Sequence, residues 1–296
     1  IKDQIRCGAA YRLGLTGKGI GVAVLDTGIF LHRDFDSRVT GFADMVNGKN
    51  FAYDDCGHGT HICGIIGGSG RMSGGRYSGI APGCDLVMVK VLDRKGNGYS
   101  SDVLAGISWI LERKEKLGIR ILNISVGACS KRGMSENSAL VKGVNRAWDA
   151  GLVVVVAAGN NGPRTMSITT PGISRKVITV GCSDDDREVL VGGNRMVDYS
   201  GRGPTMAAVC KPDLVAPGCS VVSCSSRADK YTIKSGTSMS TPIVSGAVAL
   251  LLERFPDMTN KDVKLRLRES SVDIGLPRNQ QGCGENDRKI DVEIFL

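Results

Sequence analysis

Four stretches of the chain are short, rich in β-branched residues and almost unbroken in apolar character: 19–26 (GIGVAVLD), 85–93 (DLVMVKVLD), 119–127 (IRILNISVG) and 152–160 (LVVVVAAGN). A half-exposed strand alternates apolar and polar side chains. Unbroken runs of this length therefore predict strands covered on both faces, as in a parallel sheet. Residues 177–181 (VITVG) and 213–218 (DLVAPG) predict two more. Between these runs the period lengthens. Helices are predicted over 101–116, 135–150, 240–255 and 259–269, the first carrying Leu104, Ile107, Ile110 and Leu111 on one stripe. Strands alternating with helices over this length predict an α/β fold, a doubly wound, mostly parallel sheet with helices on both faces. No repeat or composition shift marks a linker, so residues 1–296 read as one domain, with the glycine-rich stretch 67–79 as a surface loop inside it.

Composition narrows the function classes. Lys and Arg number 38 against 30 Asp and Glu, a net charge of +8, but the basic residues are scattered and only 6 Phe and 6 Tyr accompany them. A nucleic-acid surface needs a clustered basic footprint, so none is expected. The longest apolar runs, 152–158 and 247–252, fall far short of the roughly 20 residues of a membrane helix, and no membrane association is expected. No signal-peptide pattern opens the chain, and Ile1 stands where Met would, which reads as a processed or omitted start. Ten cysteines without a C-x-x-C pair argue against a zinc ribbon or thioredoxin-type motif. Several lie in apolar stretches, where a free thiol packs as a small hydrophobe. Reduced thiols and a cytoplasmic location are the favoured reading, secretion the alternative, and Cys219–Cys224 the expected bridge if one forms.

Ligands of open parallel sheets bind beyond the carboxyl ends of the strands. Asp26, Ser125 with Val126 and Gly127, and Asn160 stand at such ends. Three segments then carry chemistry: VLDTGI around Asp26, DDCGHGTHICGII with His58 and His61 opening an apolar helix, and SGTSMSTPIVSG with Ser238 just before a long apolar helix, Pro242 in its first turn. A serine hydroxyl becomes a nucleophile when an imidazole takes its proton, and the imidazole needs a carboxylate to fix its tautomer. A serine at a helix start also offers its own N–H to a developing oxyanion, and the side-chain amide of Asn160 is a second donor.

Each residue alone has a plainer reading. Asp26 is a turn residue, Ser238 an N-cap, Asn160 a loop residue, and Ser235 and Ser240 compete as nucleophiles. His58 and His61 with Asp54 or Asp55 suggest a metal, but their spacing lacks the H-E-x-x-H form and too few ligands are assured. His61 reads as packed behind His58, and no metal is expected.

Taken together, VLDTGI, HGTHICG, SVG, AAGN and GTSMSTP resemble, in order, the motif set of the subtilisin-like serine proteases, the subtilases, whose triad runs Asp, His, Ser along the chain. The resemblance covers roughly residues 18–255 and lies closer to intracellular and AprX-like members than to secreted subtilisins. It implies a serine endopeptidase with Asp26 orienting His58, His58 as base and acid, Ser238 as nucleophile, and Asn160 as oxyanion donor. It further implies that a peptide substrate lies as a strand between Gly96–Asn97–Gly98 and Ser125–Val126–Gly127, with Ala157, Ala158 and Gly159 forming the pocket. Those pocket segments and the wall at 167–171 carry no acid, so apolar or small side chains are expected before the scissile bond. Ser100 stands where many relatives place a tyrosine, which predicts a wide outer pocket. No cofactor is required. Relatives often hold calcium in the loop after the His58 helix, but residues 67–79 offer no carboxylate, and calcium is not expected there. The expected partners are protein or peptide substrates and the chain's own N-terminal prosegment before processing. The alternative is a catalytically silent relative that binds peptides. A metal-dependent hydrolase is a third reading.

Overall fold

The computed structural model describes residues 1–127 and 135–282. Cys129 and Cys283, two of the ten cysteines, lie outside them. Seven parallel strands form the central sheet: β1 (Gly21–Asp26), β2 (Val39–Asp44), β3 (Asp85–Lys90), β4 (Ile119–Ile124), β5 (Val153–Ala157), β6 (Ile178–Cys182) and β9 (Leu214–Ala216), in the order β2-β3-β1-β4-β5-β6-β9. Two small antiparallel hairpins flank it, β7 (Val189–Val191) with β8 (Asn194–Met196), and β10 (Val221–Cys224) with β11 (Tyr231–Lys234). The helices are α1 (Gly8–Arg12), α2 (His58–Gly67), α3 (Ser100–Arg113), α4 (Ala139–Asp149), α5 (Thr237–Arg254), α6 (Asn260–Glu269) and α7 (Arg278–Gln281).

The unbroken apolar runs have a direct structural cause. Alternate side chains of a strand point to opposite faces, and here both faces are covered. Val24 and Met88 share one face with Asn123, which meets α5 through Ser245 Oγ at 2.8 Å. Leu25 and Val89 share the other, where they abut Gly106 of α3. Helices α2 and α5 pack together on the first face, and α3 packs with α4 on the second. Helix α5 is apolar on all sides because it is buried on all sides, from Met239 to Leu252. Its start differs from expectation: it begins at Thr237, so Pro242 falls in the second turn rather than the first. With no N–H, Pro242 leaves the Ser238 carbonyl without a helical partner.

The expected Cys219–Cys224 bridge does not form, and both thiols are free. Cys224 closes β10 with its Sγ 3.7 Å from Asp34 Oδ2, whereas Cys219 precedes the strand and its Sγ lies 3.1 Å from the Tyr199 hydroxyl. Cys7, Cys56, Cys63, Cys84 and Cys182 are also free, while Cys210 is disulfide-bonded. The all-reduced expectation therefore fails at that position. No helix among the described residues is long and apolar enough to cross a membrane.

Candidate active site

Strand order brings the candidate residues together. β1, β4 and β5 are neighbours, so Asp26, Ser125 and Asn160 stand side by side beyond their carboxyl ends, where the chain switches from one half of the sheet to the other. Asp26 is fully buried and grips His58 with both oxygens, Oδ1 and Oδ2 lying 2.8 and 2.9 Å from Nδ1. The carboxylate thus holds the proton on Nδ1 and leaves Nε2 as the basic atom. Asp26 is itself fixed by the Thr27 N–H, which donates to Oδ1 at 2.7 Å.

His58 is carried on the first turn of α2, and α2 can approach the Asp26 turn only because position 59 is glycine. A Cβ there would stand 2.2 Å from the Gly28 carbonyl oxygen. Asp54, weighed from sequence only as a metal ligand, organises this approach. Its Oδ1 accepts from Thr27 Oγ1, Cys56 N and Gly57 N, and its Oδ2 from Thr60 N and Thr60 Oγ1, at 2.6–3.1 Å. Asp55 pairs with the buried Lys90, whose Nζ also donates to the Thr27 and Leu92 carbonyls and so braces the same turn. His61 lies buried behind His58, as expected, with Nε2 on the Val221 and Thr232 carbonyls. Burial brings its pKa down to about 3, so it stays neutral.

At the start of α5 the N–H groups are divided. Thr237 N donates to Asn160 Oδ1 at 3.0 Å, joined by Thr237 Oγ1 at 3.0 Å, and Met239 N donates to the Gly236 carbonyl at 2.9 Å. The Ser238 N–H has no acceptor among the described residues and, like the first N–H groups of any helix, is free for a ligand. Anchoring Oδ1 fixes the orientation of the Asn160 amide and leaves Nδ2 as its donor end. Gly236 at φ 137° caps the helix in backbone that disfavours a side chain, beside Asn160 Nδ2. The Ser238 hydroxyl donates to the Ser125 carbonyl at 2.7 Å rather than to His58. Ser235 Oγ accepts from Ser220 N, the buried Ser240 Oγ donates to the Ala216 carbonyl, and neither lines the cleft that His58 and Ser238 share.

One open cleft is lined by His58, Ser238 and Asn160 together with Gly96, Ser125, Val126, Gly127, Ala157 and Gly159. Asn97 and Gly98 line an adjoining cavity with Gly96, Val126 and Gly127. Ala158 lines neither. It follows Ala157 in an extended backbone, so its side chain points the other way, into a cluster with Val141, Ile168 and Ile173. Ser100 lines the adjoining cavity, and so does Tyr99, the residue before it, which is 78% exposed. The cleft contains cations that the sequence did not announce, Lys95 and Lys234, and no acid among its lining residues.

Burial disfavours the His58 imidazolium, but the Asp26 charge and hydrogen bond outweigh it and hold the pKa above the ordinary 6.5, with Lys234 pulling the other way. Replacing Lys234 with alanine removes that opposing charge, so the His58 pKa rises further. If neutral His58 is the working base, the acid limb of the kcat/KM profile moves to higher pH. A pH–rate profile of Lys234→Ala checks the direction, and a limb moved to lower pH contradicts it.

The loop 67–79 does not fit calcium. It contains no carboxylate, and the Arg38 guanidinium donates to the Gly67 carbonyl at 2.6 Å and to Cys84 O at 3.1 Å. The Gly68 and Gly70 carbonyls accept from backbone N–H groups within the loop. The Arg38 side chain thus already sets a cation against the first carbonyl of that loop.

The subtilase family profile matches residues 17–284. The chain is 43% identical over 287 residues to Serine protease AprX of Bacillus subtilis (strain 168), an alignment that takes in 91% of this chain and 64% of that protein, so the chain spans less than two-thirds of that relative's length. It is 34% identical over 282 residues to Subtilisin BL of Lederbergia lenta, covering 95% of this chain and 94% of that one. The solved structure of Sphericase superposes with a TM-score of 0.78 at 31% identity, over 94% of this chain and 91% of the other. The chain belongs to the subtilase family, the subtilisin-like serine proteases.

Proposed function

We propose that the chain is an active serine endopeptidase in which Asp26, His58 and Ser238 form the triad and Asn160 with the Ser238 N–H forms the oxyanion hole. The observation that carries this reading is the division of labour at one cleft. Asp26 fixes Nδ1 of His58, Asn160 and Gly236 take the N–H groups of Thr237 and Met239, and the Ser238 N–H is left open between them. In the reaction the Ser238 hydroxyl turns from the Ser125 carbonyl to His58 Nε2, loses its proton there, and attacks the peptide carbonyl. The developing oxyanion accepts from Asn160 Nδ2 and Ser238 N. His58 then gives the proton to the leaving amine, and a water deprotonated by His58 releases the acyl group.

The substrate strand is proposed to pair with the backbone of Gly96–Asn97–Gly98 on one side and Ser125–Val126–Gly127 on the other, which gives affinity with little sequence demand. With Lys95 and Lys234 in the cleft and no acid lining it, Lys and Arg are disfavoured before the scissile bond, and apolar or small residues are preferred. A peptide-library cleavage profile is expected to show that preference, and a profile dominated by Arg contradicts it. The family resemblance also supports a prosegment as a partner of this chain during folding.

A further inference from the structure

We propose that Cys182, Cys219 and Asp184 form a binding site for a thiophilic divalent cation of the zinc class, behind the catalytic cleft and separate from it. The donor atoms Cys182 Sγ, Asp184 Oδ1 and Cys219 Sγ all lie within 4.8 Å of one another. Cys182 Sγ is 3.2 Å from Asp184 Oδ1, and the Tyr199 hydroxyl sits 3.3 Å from Cys182 Sγ and 3.1 Å from Cys219 Sγ. With metal–sulfur bonds near 2.3 Å and metal–oxygen bonds near 2.1 Å, a tetrahedral ion needs ligand separations of roughly 3.4–3.8 Å. The three donors reach that spacing with small movements.

What holds this cluster together is a set of S–H and O–H hydrogens, and a metal ion takes the place of such hydrogens. Binding converts both thiols to thiolates and expels two protons to solvent, with the carboxylate as third ligand and water as fourth. Thiolates select zinc-class ions over magnesium or calcium. The outer contacts of a metal site are already present. Gly218 N and Cys219 N donate to Asp184 Oδ1 at 2.7 and 3.1 Å and orient it, while the Tyr199 hydroxyl is placed to donate to a thiolate. Cys182 and Tyr199 pack with Val191 in a closed apolar cluster, whereas Cys219 is half-buried and gives the ion a way in.

The other comparable group, His32, Asp34 and Cys224, lacks this freedom. Asp34 is committed to Met72 N and the Tyr231 hydroxyl, and the two nitrogens of His32 to Asp34 N and the Lys230 carbonyl. Beside Cys219, by contrast, Gly218 N and Cys219 N engage one Asp184 oxygen alone, and Oδ2 has no protein partner among the described residues. The site also joins the end of β6 to the segment before β10. That segment receives Gly236 N on the Gly218 carbonyl at 3.0 Å, so an ion here would brace the residue that caps α5.

The test uses the chain carrying Ser238→Ala to prevent self-cleavage, reduced and freed of metal, titrated with cadmium as a spectroscopic stand-in for zinc. One equivalent is expected to produce a thiolate-to-metal charge-transfer band that zinc displaces. Cys219→Ser and Cys182→Ser each remove the band, Cys56→Ser leaves it intact, and Tyr199→Phe weakens binding by about 10- to 100-fold. X-ray absorption of the zinc-loaded chain, which needs no further variant, is expected to show both sulfur and oxygen neighbours. Absence of a saturable band at one equivalent, a band that survives Cys219→Ser, or a zinc shell without sulfur overturns the proposal.

Discussion

Replacing Ser238 with alanine is expected to lower kcat by about a millionfold, the magnitude established for subtilisin, while KM and the fold change little. The hydroxyl is the only atom lost. Its contact in the resting structure is a single hydrogen bond to the Ser125 carbonyl, worth about 1 kcal/mol, and alanine suits the second position of a helix. The oxyanion donors and the substrate strand remain, so binding persists without the nucleophile. Replacing His58 should cost nearly as much, and the double variant little more, because the two act as a unit. Steady-state kinetics on a chromogenic peptide, with thermal unfolding as the control for folding, decides the matter. A Ser238→Ala chain within tenfold of the parent removes Ser238 from the mechanism.

Asn160 allows a cleaner dissection. Its amide has two jobs in the proposed mechanism, Oδ1 receiving Thr237 N and Oγ1, and Nδ2 serving the oxyanion. Asn160→Ala loses both. The expected cost is about 100- to 1,000-fold in kcat, about 2.7–4 kcal/mol, as measured for the corresponding donor in subtilisin. A further stability loss of about 0.5–2 kcal/mol follows from uncapping α5. Asn160→Asp keeps the acceptor and loses the donor, so it should retain stability and still lose kcat. KM should stay nearly constant in both, since the donor acts on charge that develops only in the transition state. A loss confined to KM, or stability and kcat falling together in Asn160→Asp, would assign Asn160 a structural role alone.

Much of the fold was legible because parallel strands covered on both faces spell unbroken apolar words. β1, β3, β4, β5 and β9 lie within the runs that predicted them, and β6 runs one residue past its own, to Cys182. β2 was missed for the converse reason: VTGFAD lies at the sheet edge, its residues half-buried or exposed, and it carries neither an unbroken run nor a clean alternation. The hairpins β7–β8 and β10–β11, with strands of three or four residues, are made by pairing that no local period records. The start of α5 was read three residues late because Pro242 was assigned to its first turn, yet here the helix runs through it.

The candidate site was legible where it depends on strand ends and helix starts, which is why Asp26, His58, Asn160 and Ser238 meet at one cleft. It was illegible where it depends on tertiary return. Lys234 reaches the cleft because the β10–β11 hairpin folds back onto α2, held there by His61 on the Val221 and Thr232 carbonyls. Asp54 looks like any loop carboxylate until its five donors converge on it. Ala158 was included by its neighbours in sequence, whereas its side chain packs with Val141, Ile168 and Ile173.

The proposed chemistry rests on a nucleophilic serine at position 238. Treating the native chain with a fluorophosphonate probe and sequencing the modified peptide by mass spectrometry tests it most directly. One label per chain is expected, carried on Ser238 and lost in His58→Ala. A label on Ser235 or Ser240, or full labelling without His58, would contradict it.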